Sequence, residues 1–184
     1  MRVLVACEFS GIVRDAFASR GHDAWSCDLM PSERPGQHIE GDVLDILAQG
    51  WDLMIAHPPC TYLCNSGARW WRSRQMEQRH ALAFIDLLLH APIPRIALEN
   101  PEGCISTRIQ RPDQVIHPWQ FGHGEEKKTH LWLHNLPPLV PTQLVEGREQ
   151  RIWRMPQSRT RGRERSRTYP GIAEAMALQW GTMP

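Results

Sequence analysis

The chain has 184 residues, 41% hydrophobic and 22% charged, with a formal net charge of +1. That length allows one well-buried domain and is too short for two full ones, so residues 1–184 are read as a single domain. The five cysteines (7, 27, 60, 64 and 104) are odd in number and form no C-x-x-C pair. This argues against a disulfide framework and for a reducing, cytoplasmic setting. No apolar run reaches the length of a signal peptide or a membrane span, so no membrane partner is expected.

Charge is unevenly placed. Residues 148–167 hold eight arginines and two glutamates, a net +6, whereas residues 1–147 carry −4. A basic segment on an acidic body points to a polyanionic partner, and residues 148–168 are read as an arginine-rich loop able to meet nucleic acid.

Val3–Ala6 is an apolar run that reads as a first strand, followed by the tight loop Cys7-Glu8-Phe9-Ser10-Gly11. Apolar residues at 12, 13, 16 and 17 have helical spacing, with Gly21 as the C-cap. Ala24–Cys27 gives a second strand ending at Asp28. Ile39, Gly41 and Asp42 surround a short third segment, and 43–47 forms a helical turn. Asp52–Ala56 is the next strand, stopped by Pro58 and Pro59. Residues 62–74 lack clean periodicity and read as a loop leading into a helix over 76–90, which Pro92 and Pro94 end. Arg95–Leu98 is a strand with Glu99-Asn100-Pro101 as its following loop. Thr129–Leu133 is a further strand, 137–141 a rigid connector, and a last helix opens at Pro170-Gly171. Strands alternating with helices predict an α/β fold, a Rossmann-like, mostly parallel sheet with helices on both faces. Ligands in such sheets bind at the carboxyl ends of the strands, where Ser10, Gly11, Asp28, Asp42, Cys60 and Glu99 all fall.

The chemistry-bearing words are His57-Pro58-Pro59-Cys60 and Glu99-Asn100-Pro101, each after a buried-strand pattern. A thiol and a carboxyl at neighbouring strand ends suit work on a pyrimidine ring, one group attacking carbon and the other serving a ring nitrogen. The thiol requires thiolate character from a nearby cation, with Arg69, Arg72, Lys127 and Lys128 as suppliers. Glu99 is expected to be neutral, its pKa raised by burial, in order to donate a proton. Phe9-Ser10-Gly11, Asp28 and Asp42 read as nucleotide-type contacts, glycine allowing close backbone approach and the acid taking ribose hydroxyls. Zinc is not expected. His130 and His134 on one strand face stand about 13 Å apart at ~3.3 Å per residue, and no paired C-x-x-C exists. Trp70 and Trp71, flanked by Arg69 and Arg72, are candidate base-stacking platforms.

Taken together these words resemble the DNA (cytosine-5) methyltransferases, particularly short phage and prophage members. Phe9-Ser10-Gly11 resembles the first cofactor motif, and Asp28 and Gly41-Asp42-Val43 the second and third, which hold the ribose and adenine of S-adenosylmethionine. Pro58-Pro59-Cys60 resembles the catalytic motif and Glu99-Asn100-Pro101 the motif of the proton donor. The resemblance implies a class I methyltransferase-like fold and a bacterial host cell. It also implies S-adenosylmethionine as cofactor and DNA as partner, with Phe9, Ser10, Gly11, Asp28, Asp42 and Pro58 around the cofactor. In the implied reaction Cys60 adds to C6 of a flipped cytosine, Glu99 assists at N3, and C5 takes the methyl group. Asn100, Lys128, Arg159 and Arg161 would meet substrate.

Three departures stand out. Val13 occupies the place of the family's second loop glycine. The arginine motif at the target base has two candidates, Gln157–Arg161 by letters and Lys127–Leu133 by position before a strand. The chain also has no room for a target-recognition domain, which implies weak specificity, a single-stranded target, or a homodimer or other partner supplying it. Two further readings remain: a relative that adds another group or acts on a nucleotide or RNA, and a non-catalytic DNA-binding module.

Overall fold

The computed structural model describes residues 1–183. Seven strands form one sheet: β1 (Arg2–Ala6), β2 (Asp23–Asp28), β3 (His38–Glu40), β4 (Leu53–Ala56), β5 (Ile96–Pro101), β6 (Gln114–Ile116) and β7 (Thr129–His134). Their order across the sheet is β3-β2-β1-β4-β5-β7-β6. The first five pair in parallel, and β7 runs antiparallel to both of its neighbours. The expected α/β class with a mostly parallel sheet is therefore the observed one. Chain order reverses between β1 and β4, which opens a crevice at their carboxyl ends.

Six α-helices accompany the sheet: α1 (Ile12–Ala18), α2 (Gln75–Leu89), α3 (Ile105–Arg108), α4 (Arg151–Arg154), α5 (Arg161–Ser166) and α6 (Pro170–Gly181). Alternate residues of each strand serve opposite cores. Val3, Val5, Leu53, Ile55, Ala97 and Leu131 meet α1 and α6 on one face. Leu4, Ala6, Met54, Ala56, Leu98 and Trp132 meet α2 and α3 on the other. Among the described residues no helix is long and apolar enough to cross a membrane.

The structure departs from the expected elements in three places. Glu99-Asn100-Pro101 is not a loop but the end of β5, because β7 pairs with it as far as Pro101–Thr129. Residues 65–73, read from the sequence as part of a loop, form a 3₁₀ helix. The arginine segment is not one loop: it contains α4 and α5, anchored by buried Ile152 and by side chains that reach back to the body.

The α1–α6 packing closes one layer. Trp180 is fully buried there and donates its indole N–H to the Pro137 carbonyl at 2.9 Å. At Gly171 a Cβ would run into the Phe121 carbonyl oxygen, so the start of α6 lies directly on the chain before β7. Replacing Trp180 by Ala is expected to cost about 3–5 kcal/mol through cavity formation and to lower the urea midpoint without changing the far-UV spectrum at zero denaturant.

Candidate active site

Two prolines stop β4, and the chain leaves the sheet as His57-Pro58-Pro59-Cys60. The segment is fixed from both sides. His57 N–H bonds the Ala6 carbonyl at 2.9 Å, and the Asn100 side-chain amide donates to the Pro58 carbonyl at 2.9 Å. Asn100 is 1% exposed, so its position is that of a buried strut and not of a group open to substrate. Pro58 is likewise buried, its carbonyl taken by Asn100.

Glu99 and His57 end adjacent strands on the same sheet face, and their side chains meet, Nδ1 to Oε2 at 3.4 Å. Burial works to raise the Glu99 pKa. The hydrogen bond from His57, the Lys127 and His57 charges and the hydrogen bond from Thr129 outweigh it, and the carboxyl sits below its ordinary range. The expectation of a neutral, proton-carrying Glu99 is thus corrected: its partners stabilise the anion more than desolvation penalises it.

Cys60 is half-buried and lies within the field of Glu99 and Lys127. Cys64 follows one turn on, its N–H bonding the Cys60 carbonyl at 3.0 Å and its sulfur lying 3.0 Å from the Ser66 hydroxyl. The supplier of positive charge is therefore Lys127. The adjacent Lys128 points elsewhere, to an exposed pair with Glu102 at 3.1 Å, because successive residues of an extended chain face opposite sides. Lys127 also donates to the Arg165 carbonyl at 3.3 Å, tying the site to the end of α5. Lys127 is one of the cations that the sequence offers as suppliers, and the structure selects it from among them. His57 opens the word that carries Cys60, but the sequence gives it no role of its own.

At the carboxyl ends of β1 and β2, Cys7 adopts a left-handed conformation (φ 58) and its thiol is pushed up by burial and by the charges of Asp28, Cys27 and Asp42. Asp28 and Asp42 therefore converge on this point. Each uses one oxygen on a backbone N–H, of Met30 and Leu44 respectively; Asp28 is half-buried and Asp42 exposed. The loop beside them is less open than its letters suggest. The Phe9 ring is 5% exposed and lies beneath the Arg163 guanidinium at 5.0 Å. Ser10 donates to buried Glu8, whose carboxylate also accepts the Val13 and Arg14 N–H groups at 2.7 and 3.2 Å. The space over Gly11 is filled by the Arg14 side chain, since a Cβ there would stand 2.5 Å from its Nη2. Arg14 is itself 1% exposed and bonded to Asp15, Ser26, Ser32 and the Pro35 carbonyl. Phe9, Ser10 and Gly11 are thus engaged internally, contrary to their reading as open contacts. Glu8 and Arg14 hold this loop by their buried hydrogen bonds, a part that the sequence reading did not give them.

Of the arginines, Arg163 and Arg167 are held by Glu33, each at 2.8 Å, and Arg151 by Glu125 at 2.9 Å. Arg159 is exposed, whereas Arg161 is half-buried with its Nε lacking a partner. A cavity of ≈ 520 Å³ opens between the start of α1, α5 and Tyr169, bordering the Phe9–Gly11 loop. Among the described residues no group of three or more His, Cys, Asp or Glu is placed to hold a metal ion.

No family model matches the chain, and no curated protein matches it. Among solved structures it is similar to a protein proposed to be a DNA modification methyltransferase encoded within an Escherichia coli prophage, at 12% identity and a TM-score of 0.49. The match covers 86% of this chain and 56% of that one, so the chain spans little more than half that protein's length. Likeness of this degree says nothing about activity.

The Glu99 environment has a consequence for stability. A carboxyl whose folded pKa is depressed stabilises the fold above its unfolded value of about 4.3, and that share is lost as pH falls through the folded value. Glu99→Gln is therefore expected to be less stable than the wild type at pH 6, with the gap closing by pH 3, as read from urea midpoints at the two pH values.

Proposed function

We propose that the protein is a methyltransferase acting at C5 of cytosine in DNA, with S-adenosylmethionine as cofactor and Cys60 as the catalytic nucleophile. The observation that carries this reading is the convergence of Cys60, Glu99, His57 and Lys127 at the ends of β4 and β5 and before β7, beside the crevice between β1 and β4.

The residues present fit the cofactor at its adenosine end. Asp28 would hold the ribose hydroxyls and Asp42 the adenine side, each with the oxygen not bonded to a backbone N–H. The helix N-terminus of α1 is unusual for a nucleotide fold. Its first free N–H groups are taken by the Glu8 carboxylate, so a phosphate would meet a buried negative charge there. That favours a cofactor that needs no phosphate site at this turn. When bound, S-adenosylmethionine supplies an electrophilic methyl on a sulfonium.

The chain's own residues do the rest. Cys60 adds through sulfur to C6 of the pyrimidine, which makes C5 electron-rich. Glu99, ionised, accepts hydrogen bonds from the exocyclic amine and from N3 once that nitrogen carries a proton. His57 fixes the carboxylate from the opposite side. Lys127 places positive charge beside both groups. Asn100 keeps the Pro58-Pro59 segment against β5 so that Cys60 and Glu99 hold their spacing. Of the arginines in 148–167, Arg148, Arg154, Arg159, Arg161 and Arg165 make no ion pair among the described residues, so they are the ones able to contact phosphates, with salt-dependent affinity. Association as a homodimer or with a specificity-giving partner accompanies this reading.

The test is trapping on DNA containing 5-fluorocytosine with S-adenosylmethionine present. A denaturation-resistant adduct that maps to Cys60 and disappears in Cys60→Ala is expected, as is 5-methylcytosine as the product on ordinary DNA. Salt-dependent DNA binding without an adduct would reject the enzyme in favour of a binding module. A Cys60-dependent product of another mass would reject the methyl group.

A further inference from the structure

We propose that the DNA acted on is single-stranded, and that Trp70 and Trp153 are the faces on which its unstacked bases lie. The inference rests on the DNA reading above and names the form that the DNA takes.

The sequence offers Trp70 and Trp71 together as stacking platforms, and the structure separates them. Trp71 is half-buried, packed against the core on the α2 side of the sheet, whereas Trp70 is 56% exposed. The Arg69 guanidinium lies over the Trp70 ring at 5.0 Å. Trp153 stands out further, at 76% exposed, with no hydrogen bond or ring partner among the described residues. It does so on a fixed backbone. Its neighbour Ile152 is buried, and Arg151 Nε donates to both Glu125 carboxylate oxygens, at 3.0 and 2.9 Å. The Arg154 N–H bonds the Gln150 carbonyl at 3.0 Å.

Both tryptophans sit on segments tied to the thiol–carboxylate cluster. The 3₁₀ helix Asn65–Ser73, which carries Trp70, begins one turn after Cys60. The Asn65 N–H bonds the Glu102 carbonyl at 3.0 Å, and an antiparallel bridge joins Cys64 to Gly103. The start of that helix is thus held against the chain that leaves Glu99. The approach is close because Gly103 has no side chain; a Cβ there would strike the Leu63 carbonyl oxygen. The stretch before α4, which carries Trp153, is paired with the approach to β7. Glu125 and Glu149 form a parallel bridge, and the Glu126 N–H bonds the Glu149 carbonyl at 2.9 Å. Lys127 is the next residue. Both indole rings are therefore anchored to the segments that supply Cys60, Glu99 and Lys127.

Charge around both rings suits a polyanion. Residues 65–74 hold three arginines and no acid, and residues 148–154 hold three arginines and one glutamate. Arg69, Arg72 and Arg154 are exposed and make no ion pair among the described residues. One exposed ring is ordinary on a protein surface; two, each beside an unpaired guanidinium and each tied to the same cluster, form a surface with a purpose. An indole takes the π face of a base while the cation takes the phosphate, which is how single strands are held. Duplex DNA keeps those faces inside its own stack, so the two rings gain little from an intact helix. Every base has such a face, so stacking tolerates any sequence and asks for no separate recognition domain. A cytosine presented on a single strand also needs no unpairing before Cys60 can reach it.

The experiment is fluorescence anisotropy over a series of salt concentrations with labelled oligonucleotides about 16 nucleotides long, as single-stranded DNA, as the duplex and as RNA of the same sequence. Single-stranded DNA is expected to bind about tenfold or more tighter than the duplex. Trp70→Ala and Trp153→Ala are each expected to weaken that binding about fivefold or more, whereas Trp70→Phe and Trp153→Phe retain most of it. The salt slope is expected to stay unchanged in all four, because no charge is removed, and to fall by about 0.7 in Arg154→Gln. Both tryptophans are exposed, so the variants are expected to keep the wild-type urea midpoint, measured alongside. Duplex or RNA bound as tightly as single-stranded DNA overturns the inference, as does wild-type affinity in either alanine variant. Trapping on 5-fluorocytosine separates this inference from the enzyme reading. A Cys60 adduct on the duplex and none on the single strand rejects the single strand and leaves the enzyme. Single-strand binding with these variant effects, and no adduct on either form, rejects the enzyme and leaves the stacking surface.

Discussion

The hydrogen bond from the Asn100 amide to the Pro58 carbonyl governs the rest of the site. It ties the segment leaving β4 to the last residues of β5 at the point where two prolines have removed the donors that a sheet ladder would use. Because Asn100 is 1% exposed, the bond forms away from water, where losing one partner would leave a buried carbonyl unsatisfied. With that segment fixed, His57 falls against Glu99, and Cys60 comes to lie in the fields of Glu99 and Lys127. The cluster is thus a property of two strand ends held in register, and no flexible loop is needed to assemble it.

A second constraint shapes the crevice next to it. Glu8 consumes the N–H groups that begin α1, and Arg14 fills the space above Gly11 and Gly36 with its guanidinium. Both side chains are buried, and both are held by hydrogen bonds to backbone or to short polar side chains. A buried cation bonded to Asp15 and to loop carbonyls keeps residues 32–36 folded over β2. The result is a strand-to-helix turn whose N–H groups are already taken by a carboxylate and whose open space is filled by a guanidinium. The letters of the loop do not express that occupation, which follows from where two charged side chains fold back.

The arginine segment connects the two regions. Arg163 covers Phe9 and pairs with Glu33, while the carbonyl of Arg165 receives Lys127. Short helices stand across the carboxyl ends of the strands, and part of the +6 charge is neutralised from within. A segment that reads as a free polyanion-binding loop is thus partly structural, and the arginines open to solvent are fewer than the sequence count.

Sequence alone determined the α/β class, because apolar runs of four to six residues bounded by Gly, Pro and Asp alternate with 3.6-period segments, and both patterns are local. It also determined that Cys60 and Glu99 lie at strand ends, since prolines and polar residues stop those runs. It could not determine that Glu99-Asn100-Pro101 lies in a strand, because that depends on β7, whose partner residues begin 28 positions later. Nor could it choose Lys127 over Lys128, or assign the ionisation of Glu99. Those depend on which neighbours from distant elements meet a side chain, and on the balance of burial against hydrogen bonding that only the packed structure sets.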